Sequence, residues 1–425
     1  MIQNSMNKMS DKPLRILMPS YRSHPFTGGQ GIYMRLVTKA MMELGHTVEV
    51  ISGQPYPILD EGVKLTKLPS LDLYSYDSPL KAFKFKLLKE PIDLYEWLSH
   101  LSGGFSEPYT FGERMSVWGK KNYNRFDVVH DNQTLAYGLI KLRDMGVPVV
   151  GTIHHPITMD KRIDIKHAET LSLKLLKWRW YSFLRMQIKV ARKLDPIIVV
   201  SENTRKDVVK DFKIDPKKTR KVLHGIDHKT FEPIPSIKRK KNQLITTASA
   251  DVPLKGLIYL IRAYSDLLND FPDLSLIVIG KLRDGPTSKE LDKKGIKDKV
   301  KFISDLTSRQ IAELYAESTI AVSPSVYEGF GFPAGEAMSC GIPLISTNGG
   351  SLPEVVGESG IIVPHSNPNE LQKAIKELLL SPEKRRELGE KGRNRVLEKF
   401  TWKRAAKELV DVYREAISNA DNRSR

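Results

Sequence analysis

Cysteine is nearly absent: Cys340 is the only one in 425 residues. One cysteine excludes an intrachain disulfide, and the chain suits a reducing compartment; near a helix end, Cys340 reads as a small packing residue. No run of about 18 apolar residues occurs, so no segment reads as a helix spanning a bilayer. Met1 to Lys12 lacks an apolar centre and does not read as a signal peptide. There is no D-x-D motif and no Cys/His/carboxylate cluster with ligand spacing, so no metal site is expected. Short-period repeats, heptads and low-complexity tracts are also missing. Acidic residues fall well short of basic ones, giving a formal charge of +17 and a pI near 9.5. Such a charge favours anionic partners: nucleic acid, acidic lipid or phosphorylated substrates. No recognised nucleic-acid motif accompanies it, so nucleic acid is not the expected partner.

What is present is an α/β alternation. Leu14–Pro19 reads as a first parallel strand. A Gly-rich loop, Ser20–Gly31, and an amphipathic helix to about Leu44 follow. Gly45 ends the helix and His46–Ile51 is the second strand. The loop glycines, among them Gly29 and Gly31, allow close backbone approach to a ligand. They do not form G-x-G-x-x-G, so a dinucleotide is not implied. Residues 56–124 do not parse into regular elements; there Lys81, Lys84, Lys86 and Lys89 flank Phe83, Phe85, Leu87 and Leu88. Order returns with strand Phe126–Asp131, a helix over Thr134–Met145 and strand Pro148–Ile153, which runs into His154 and His155. Asp164–Leu194 reads as one long helix. Leu173, Leu176, Trp180, Leu184 and Ile188 share one face of it, and Lys174, Trp178, Tyr181, Arg185 and Lys189 another. Strand Pro196–Ser201, helix Glu202–Phe212 and strand Lys221–His224 complete the first half.

Pro233–Asn242 has the composition of a linker. A second alternation starts at Leu244–Ser249 and includes strands Ser275–Ile279, Val300–Ile303 and Ile361–Val363. From Pro368 the chain reads as helical. The expected domains are therefore 12–232, 242–398 and a C-terminal helix, 399–425, packing back on the first. Two such halves are Rossmann-like, doubly wound domains facing a central cleft at their strands' carboxyl ends.

The organising stretch is Ser323–Gly341. A buried strand, Ser318–Ser323, leads into a turn around Gly329-Phe330-Gly331-Phe332 and then a helix. Pro333 suits the first helical turn, and Gly341 suits the helix C-terminus. Strand, Gly-rich turn and helix bring free backbone N–H groups to the sheet's carboxyl edge, where phosphates bind. Glu328 lies in the turn and Glu336 in the helix, seven residues between them. Glu336 can accept hydrogen bonds from a sugar diol.

This stretch resembles the E-x7-E signature of GT-B fold glycosyltransferases of family 4, the retaining, sugar-nucleotide-dependent group. Pro343–Val356 is similar to that family's next segment. The resemblance implies a GT-B fold and donor contacts from Gly29, Gly31, Ser249, Lys255, Gly329, Phe330, Gly331, Phe332 and Glu336. It also implies retention by front-face attack, with the leaving phosphate helping to deprotonate the acceptor. The sequence departs from the family in two places. His130-Asp131-Asn132 has Asn132 where the family commonly has a second histidine, so Asp131, Asn132 and His154 become the candidates, with Glu328, for the catalytic groups. Ser249 stands where an Arg is expected six positions before Lys255. Lys255 then carries the leaving-group charge with the glycine-loop N–H groups, and no metal or other cofactor is expected.

The basic-aromatic part of the long helix carries a further expectation. Lys174, Lys177, Trp178, Tyr181 and Arg185 suit contact with an anionic membrane surface, against the plainer reading of a core helix with a solvated basic face. The sequence thus points to a cytoplasmic enzyme held peripherally at the inner face of a membrane. It would move a hexose from a nucleotide sugar, expected to be UDP-linked, to a lipid such as diacylglycerol. The alternatives are a soluble saccharide or sugar-phosphate acceptor, or a GT-B epimerase or phosphorylase.

Overall fold

Residues 12–25, 29–83, 85–248 and 252–424 are described by a computed structural model of the chain. Ser249 and Lys84 lie outside the described residues. The chain divides into two compact units: residues 1–200, 204–222 and 405–425 form the first, and 201–203 with 223–404 the second.

The first unit is built on a parallel sheet of β1 (Arg15–Ser20), β2 (Thr47–Ser52), β3 (Lys64–Lys67), β4 (Val128–Asn132), β5 (Val149–Ile153), β6 (Ile197–Val199) and β7 (Thr219–Lys221), in the order β3-β2-β1-β4-β5-β6-β7. Strands covered by helices on both faces read as unbroken apolar runs, as in Ile16, Leu17 and Met18 of β1 and all of β6, which are buried. The helices are α1 (Gly29–Glu43), α2 (Pro91–Leu101), α3 (Glu107–Gly119), α4 (Tyr137–Asp144), α5 (Thr158–Lys166), α6 (Leu171–Trp180), α7 (Leu184–Lys193) and α8 (Glu202–Phe212). Strand order reverses between β1 and β4, which is where ligands of doubly wound sheets gather.

Two stretches differ from expectation. Residues 56–124 resolve into β3, three short 3-10 turns, α2, α3 and a fourth turn. Helix α2 has no readable amphipathic pattern because it is inverted: Glu96 and Ser99 are buried while Tyr95, Leu98 and Leu101 are exposed. Inside, Glu96 Oε1 accepts the Leu71 amide (3.0 Å), and Oε2 is ion-paired with Arg114 Nη1 at 2.7 Å. The expected long helix, Asp164–Leu194, is broken into the end of α5, α6, a 3-10 turn at Tyr181–Phe183 and α7. Thr170 starts α6 afresh by accepting the Leu173 amide at its side chain (3.2 Å), an N-cap that competes with continued helix. Tyr181, expected at a membrane interface, is instead buried and donates its hydroxyl to Asp164 (3.0 Å). Leu173 and Leu176, assigned to one apolar face, are exposed.

The second unit repeats the plan. Strands β8 (Gln243–Thr247), β9 (Ser275–Ile279), β10 (Val300–Ile303), β11 (Ile320–Ser323), β12 (Leu344–Thr347) and β13 (Ile361–Val363) lie parallel in the order β10-β9-β8-β11-β12-β13. Their helices are α9 (Leu257–Leu267), α10 (Pro286–Lys294), α11 (Ser308–Glu317), α12 (Phe332–Ser339), α13 (Leu352–Val356), α14 (Pro368–Leu380) and α15 (Pro382–Lys399). The switch point is between β8 and β11. Pro233–Asn242, expected as a linker, lies within this unit, and the division falls at Val222/Leu223. The segment is tied down: Lys240 N donates to Glu317 O (2.7 Å) and Thr319 Oγ1 to Lys240 O (2.7 Å). The last helix, α16 (Trp402–Ser424), groups with the first unit from Ala405 onward. Both sheets and the helical C-terminus constitute a GT-B fold.

Candidate active site

In the second unit three loops converge at the carboxyl ends of β8, β11 and β12. Residues Pro253–Lys255 form a 3-10 turn closed by Gly256 in the left-handed region, φ 62°. A Cβ at Gly256 would lie 2.1 Å from Pro324 O, so only glycine lets this turn sit against the loop after β11. Leu254 O accepts the Val326 amide at 2.8 Å and fixes the two loops together. The third loop closes from the other side. Ser351 donates its amide to Glu328 O (2.9 Å) and its hydroxyl to Phe330 O (2.8 Å).

This framework brings Lys255 and Glu328 into one ion pair across the switch point. Lys255 Nζ is 2.7 Å from Glu328 Oε1, which also accepts Ser325 Oγ at 2.8 Å. Gly331, at φ 95°, caps α12, with Pro333 in the first turn. Gly341 ends the helix at φ 67°. The N-terminal amides of α12 therefore face the carboxyl edge of the sheet, as anion binding requires. The Phe330 side chain is not at that edge. Phe330 is buried against Phe400, and Phe332 stacks on His224 (5.4 Å between centroids). Phe330 thus offers a ligand its backbone alone, while Phe332 remains partly exposed.

Glu336 sits in α12, half-buried. Burial pushes its carboxyl up to about 7, and the charge of Asp227 adds to the shift. Asp227 is held by the amide (3.2 Å) and hydroxyl (2.7 Å) of Thr230. Asp227 did not stand out in the sequence; the Gly349-Gly350-Ser351 turn did only as part of Pro343–Val356, without a role of its own. The signals were Gly350, where a Cβ would lie 2.2 Å from Glu328 O, and Ser351 just after it.

In the first unit the candidates gather at the other switch point. His154, after β5, places Nε2 2.6 Å from Asn132 Oδ1 at the end of β4. Asn132 Nδ2 donates to Ser20 Oγ (3.2 Å) at the end of β1. With Asn132 Oδ1 accepting, His154 Nε2 carries the proton. Burial, then the neighbouring His155 and His130, push the His154 pKa down to about 3, so the ring is neutral near pH 7. Gln133 locks the loop: Oε1 accepts the His154 amide (2.6 Å) and Nε2 donates to His155 O (2.7 Å). Asp131 is not at the surface of this edge. It is fully buried, with Oδ2 accepting the Leu135 amide (2.9 Å), and burial raises its carboxyl to about 7. It holds the turn that carries Asn132 and Gln133. His130 is likewise enclosed, between Tyr413 OH (2.5 Å) and Thr152 Oγ1 (2.6 Å). Of the loop glycines, Gly29 opens α1 and Gly31 packs against the backbone of His24, where a Cβ would lie 2.1 Å from its carbonyl oxygen. Among the described residues no group of three His, Cys, Asp or Glu side chains is arranged to hold a metal ion.

On the membrane-contact candidates, Trp178 is half-exposed, with Lys161 and Arg185 over its ring at 5.6 and 4.8 Å. Lys177 is paired with Asp164 at 3.0 Å, and Lys174 is exposed.

Comparisons with known proteins identify the family and the fold. The family described as Glycosyltransferase Family 4 matches residues 27–230, and the one described as Glycosyl transferases group 1 matches residues 229–395. The chain is 42% identical over 410 residues to the MMP alpha-(1->4)-mannosyltransferase of Mycolicibacterium hassiacum, covering 95% of this chain and 99% of that protein. It is 26% identical to a D-inositol 3-phosphate glycosyltransferase of Streptomyces bingchenggensis, covering 97% and 91%. The sucrose-phosphate synthase of Thermosynechococcus elongatus has the same fold, with a TM-score of 0.72 at 21% identity over 96% of this chain and all of that one. The chain belongs to glycosyltransferase family 4, as a GT-B enzyme that uses a nucleotide sugar.

Proposed function

We propose that the enzyme transfers a hexose, with mannose the first candidate, from a nucleotide diphosphate sugar to a hydroxyl of a saccharide acceptor, forming an α-glycosidic bond. The observation that carries this reading is the 42% identity, over nearly the whole length of both chains, to an alpha-(1->4)-mannosyltransferase. A linkage to O-4 requires an acceptor with a sugar 4-hydroxyl, which favours a saccharide over diacylglycerol. In this reading Lys255 and the first amides of α12 hold the diphosphate as the bond from C1 to its oxygen breaks. Glu328 fixes Lys255 and lies nearest the hexose. Glu336 accepts hydrogen bonds from a diol of the nucleotide's ribose. The new bond forms from the acceptor oxygen to C1 on the same face, and the acceptor's proton passes to the departing diphosphate. Neutral His154, held by Asn132, contacts an acceptor hydroxyl; Asp131 positions the turn beneath them. No metal is required, because Lys255 supplies the countercharge. The test is a panel of GDP- and UDP-linked hexoses against α-(1→4)-linked manno-oligosaccharides, inositol phosphate and extracted lipids. Transfer to the oligosaccharides is expected; labelled product only in the lipid fraction would overturn the reading.

A second reading, a membrane lipid acceptor, is favoured by one surface. Helix α6 has no buried residue, and Leu171 and Leu175 are 74% and 63% exposed beside Lys174. Arg179 of α6 donates to Ser99 (3.1 Å) and Ser102 (2.8 Å) at the end of α2, whose Leu98 and Leu101 are exposed too. An apolar, basic surface of this kind supports peripheral attachment to an anionic membrane. Among the described residues no helix is long and apolar enough to cross a membrane.

A further inference from the structure

We propose that a cavity beside the end of β2 in the first unit is a subsite for a neutral pyranose unit of the acceptor, distant from the unit that receives the hexose. The inference rests on the saccharide-acceptor reading and extends it. The cavity has a volume of about 360 Å³ and is bounded by Gln54, Ser70, Asp72, Ser75 and Tyr76, with Ala82 and Leu87 as apolar wall. Sites for small ligands occupy about 300–1,000 Å³.

Its polar groups are fixed in advance. Gln54 Oε1 accepts the amide (2.7 Å) and hydroxyl (3.2 Å) of Ser70, which leaves the Gln54 side-chain N–H groups to donate. Ser70 Oγ accepts the Asp72 amide at 3.2 Å, and Ser75 Oγ donates to Asp72 O at 2.7 Å. Asp72 is thereby held in the left-handed region, φ 48° and ψ 48°, a strained backbone for a residue with a side chain. Among the described residues its carboxylate has no hydrogen-bond or ion-pair partner. Tyr76 is 38% exposed. A carboxylate that accepts from vicinal hydroxyls, an amide that donates and an aromatic ring for the C–H face suit a sugar. The surroundings select against an anionic one. Asp72 is the one charged side chain among the described residues that bound the cavity, and an anionic ring there would meet its carboxylate.

The cavity lies at the same carboxyl edge as Asn132. Strand β2 is separated from β4 by β1, two strand spacings or about 10 Å. An acceptor reaching from the end of β4 to the end of β2 spans more than one ring, so the subsite reads an oligosaccharide chain rather than a monosaccharide.

Acceptor kinetics on the full chain test this with methyl α-D-mannoside and α-(1→4)-linked mannotetraose. Asp72→Asn, which tolerates the left-handed backbone, and Tyr76→Ala should each raise the KM for the tetraose about tenfold, the scale for weakening a hydrogen bond to a charged group. The KM for methyl mannoside and for the donor should stay unchanged. Equal KM values for wild type and variants with both acceptors would overturn the subsite and leave the saccharide reading intact. If wild type transfers to neither mannoside, that reading fails on its own. Saturation-transfer NMR with the tetraose then decides the subsite: a signal lost in Asp72→Asn supports it, and no signal with wild type overturns it.

Discussion

Lys255 Nζ and Glu328 Oε1 lie 2.7 Å apart, joining the loop after β8 to the loop after β11 over the point where strand order reverses. The pair is largely withdrawn from water, with side-chain exposures of 25% and 13%. Each partner therefore orients the other, and removing one leaves a poorly solvated charge. Lys255→Ala should weaken nucleotide-sugar binding and lower turnover. Glu328→Ala should lower turnover more than it weakens nucleotide binding. The double variant should lose less than the sum, with a coupling of about 1–3 kcal/mol for groups in contact. Additive losses in kcat/KM would contradict the pairing.

Glu336 gives a pH dependence. Burial holds its carboxyl up near 7 in the free protein. A diol donates to the ionised form, so binding favours deprotonation, and nucleotide-sugar affinity should rise with pH up to about 7 and then level off. Well below 7 the affinity should fall about tenfold per pH unit, as linkage to one proton requires. Glu336→Gln should flatten that profile, and Glu336→Ala should cost about 1.5–3 kcal/mol of binding at neutral pH. Calorimetry across pH 5.5–8.5 checks both; a wild-type affinity independent of pH would contradict the assignment.

Glu107 offers a stability test away from the chemistry. It is buried, and Oε2 makes no hydrogen bond, with Arg22 Nη1 at 3.6 Å. Burial raises its carboxyl to about 7, offset in part by Arg22. Because the folded protein resists ionisation that the unfolded chain accepts from about pH 4.5, this group costs stability as pH rises toward 7 and the full cost is present above it. Glu107→Gln should thus increase the unfolding free energy more at pH 8 than at pH 5, by an amount on the order of 3 kcal/mol at most, read from denaturant titrations at the two pH values. An equal change at both pH values would show that the carboxyl is not held neutral.

Metal removal separates two ways of stabilising the diphosphate. With Lys255 and the α12 amides in that role, activity should survive EDTA. Complete loss with EDTA, restored by magnesium or manganese, would contradict it.

The exposed surface of α6 can be tested with vesicles. Changing Lys174, Lys177 and Arg185 to glutamine should release the protein from anionic liposomes, since each basic residue near such a surface contributes about 1 kcal/mol. Salt should have the same effect, and donor affinity should not change. Equal partitioning of wild type on neutral and anionic liposomes would remove the membrane reading.

Much of this was legible in the sequence because strands buried on both faces and Gly-Pro punctuation around a helix are local signals. Gly331, Pro333 and Gly341 mark α12 without any tertiary information, and the seven-residue spacing places Glu328 and Glu336 on opposite sides of its N-terminus. What local pattern could not show was pairing between distant loops. Lys255 and Glu328 read as separate candidates, and the ion pair depends on Gly256 fitting against Pro324. Asp227 reaches Glu336 only through the fold. Helix α2 hid itself by burying Glu96 on Arg114 and exposing leucines, which reverses the usual pattern. Tyr181 misled because helical periodicity continues through Thr170 and Tyr181, where a side-chain cap and a buried hydroxyl on Asp164 interrupt the helix.

Hexosyl transfer from a nucleotide sugar to a saccharide with retention fixes the anomeric form of the first product. The most direct measurement is a real-time proton NMR record of the first product formed from an α-configured GDP- or UDP-hexose and an α-(1→4)-linked manno-oligosaccharide. An α-anomeric signal, attached at O-4, is expected from the first turnovers and should be nearly absent with Glu328→Ala. A β-linked first product, or no saccharide product while a lipid is glycosylated, would contradict it.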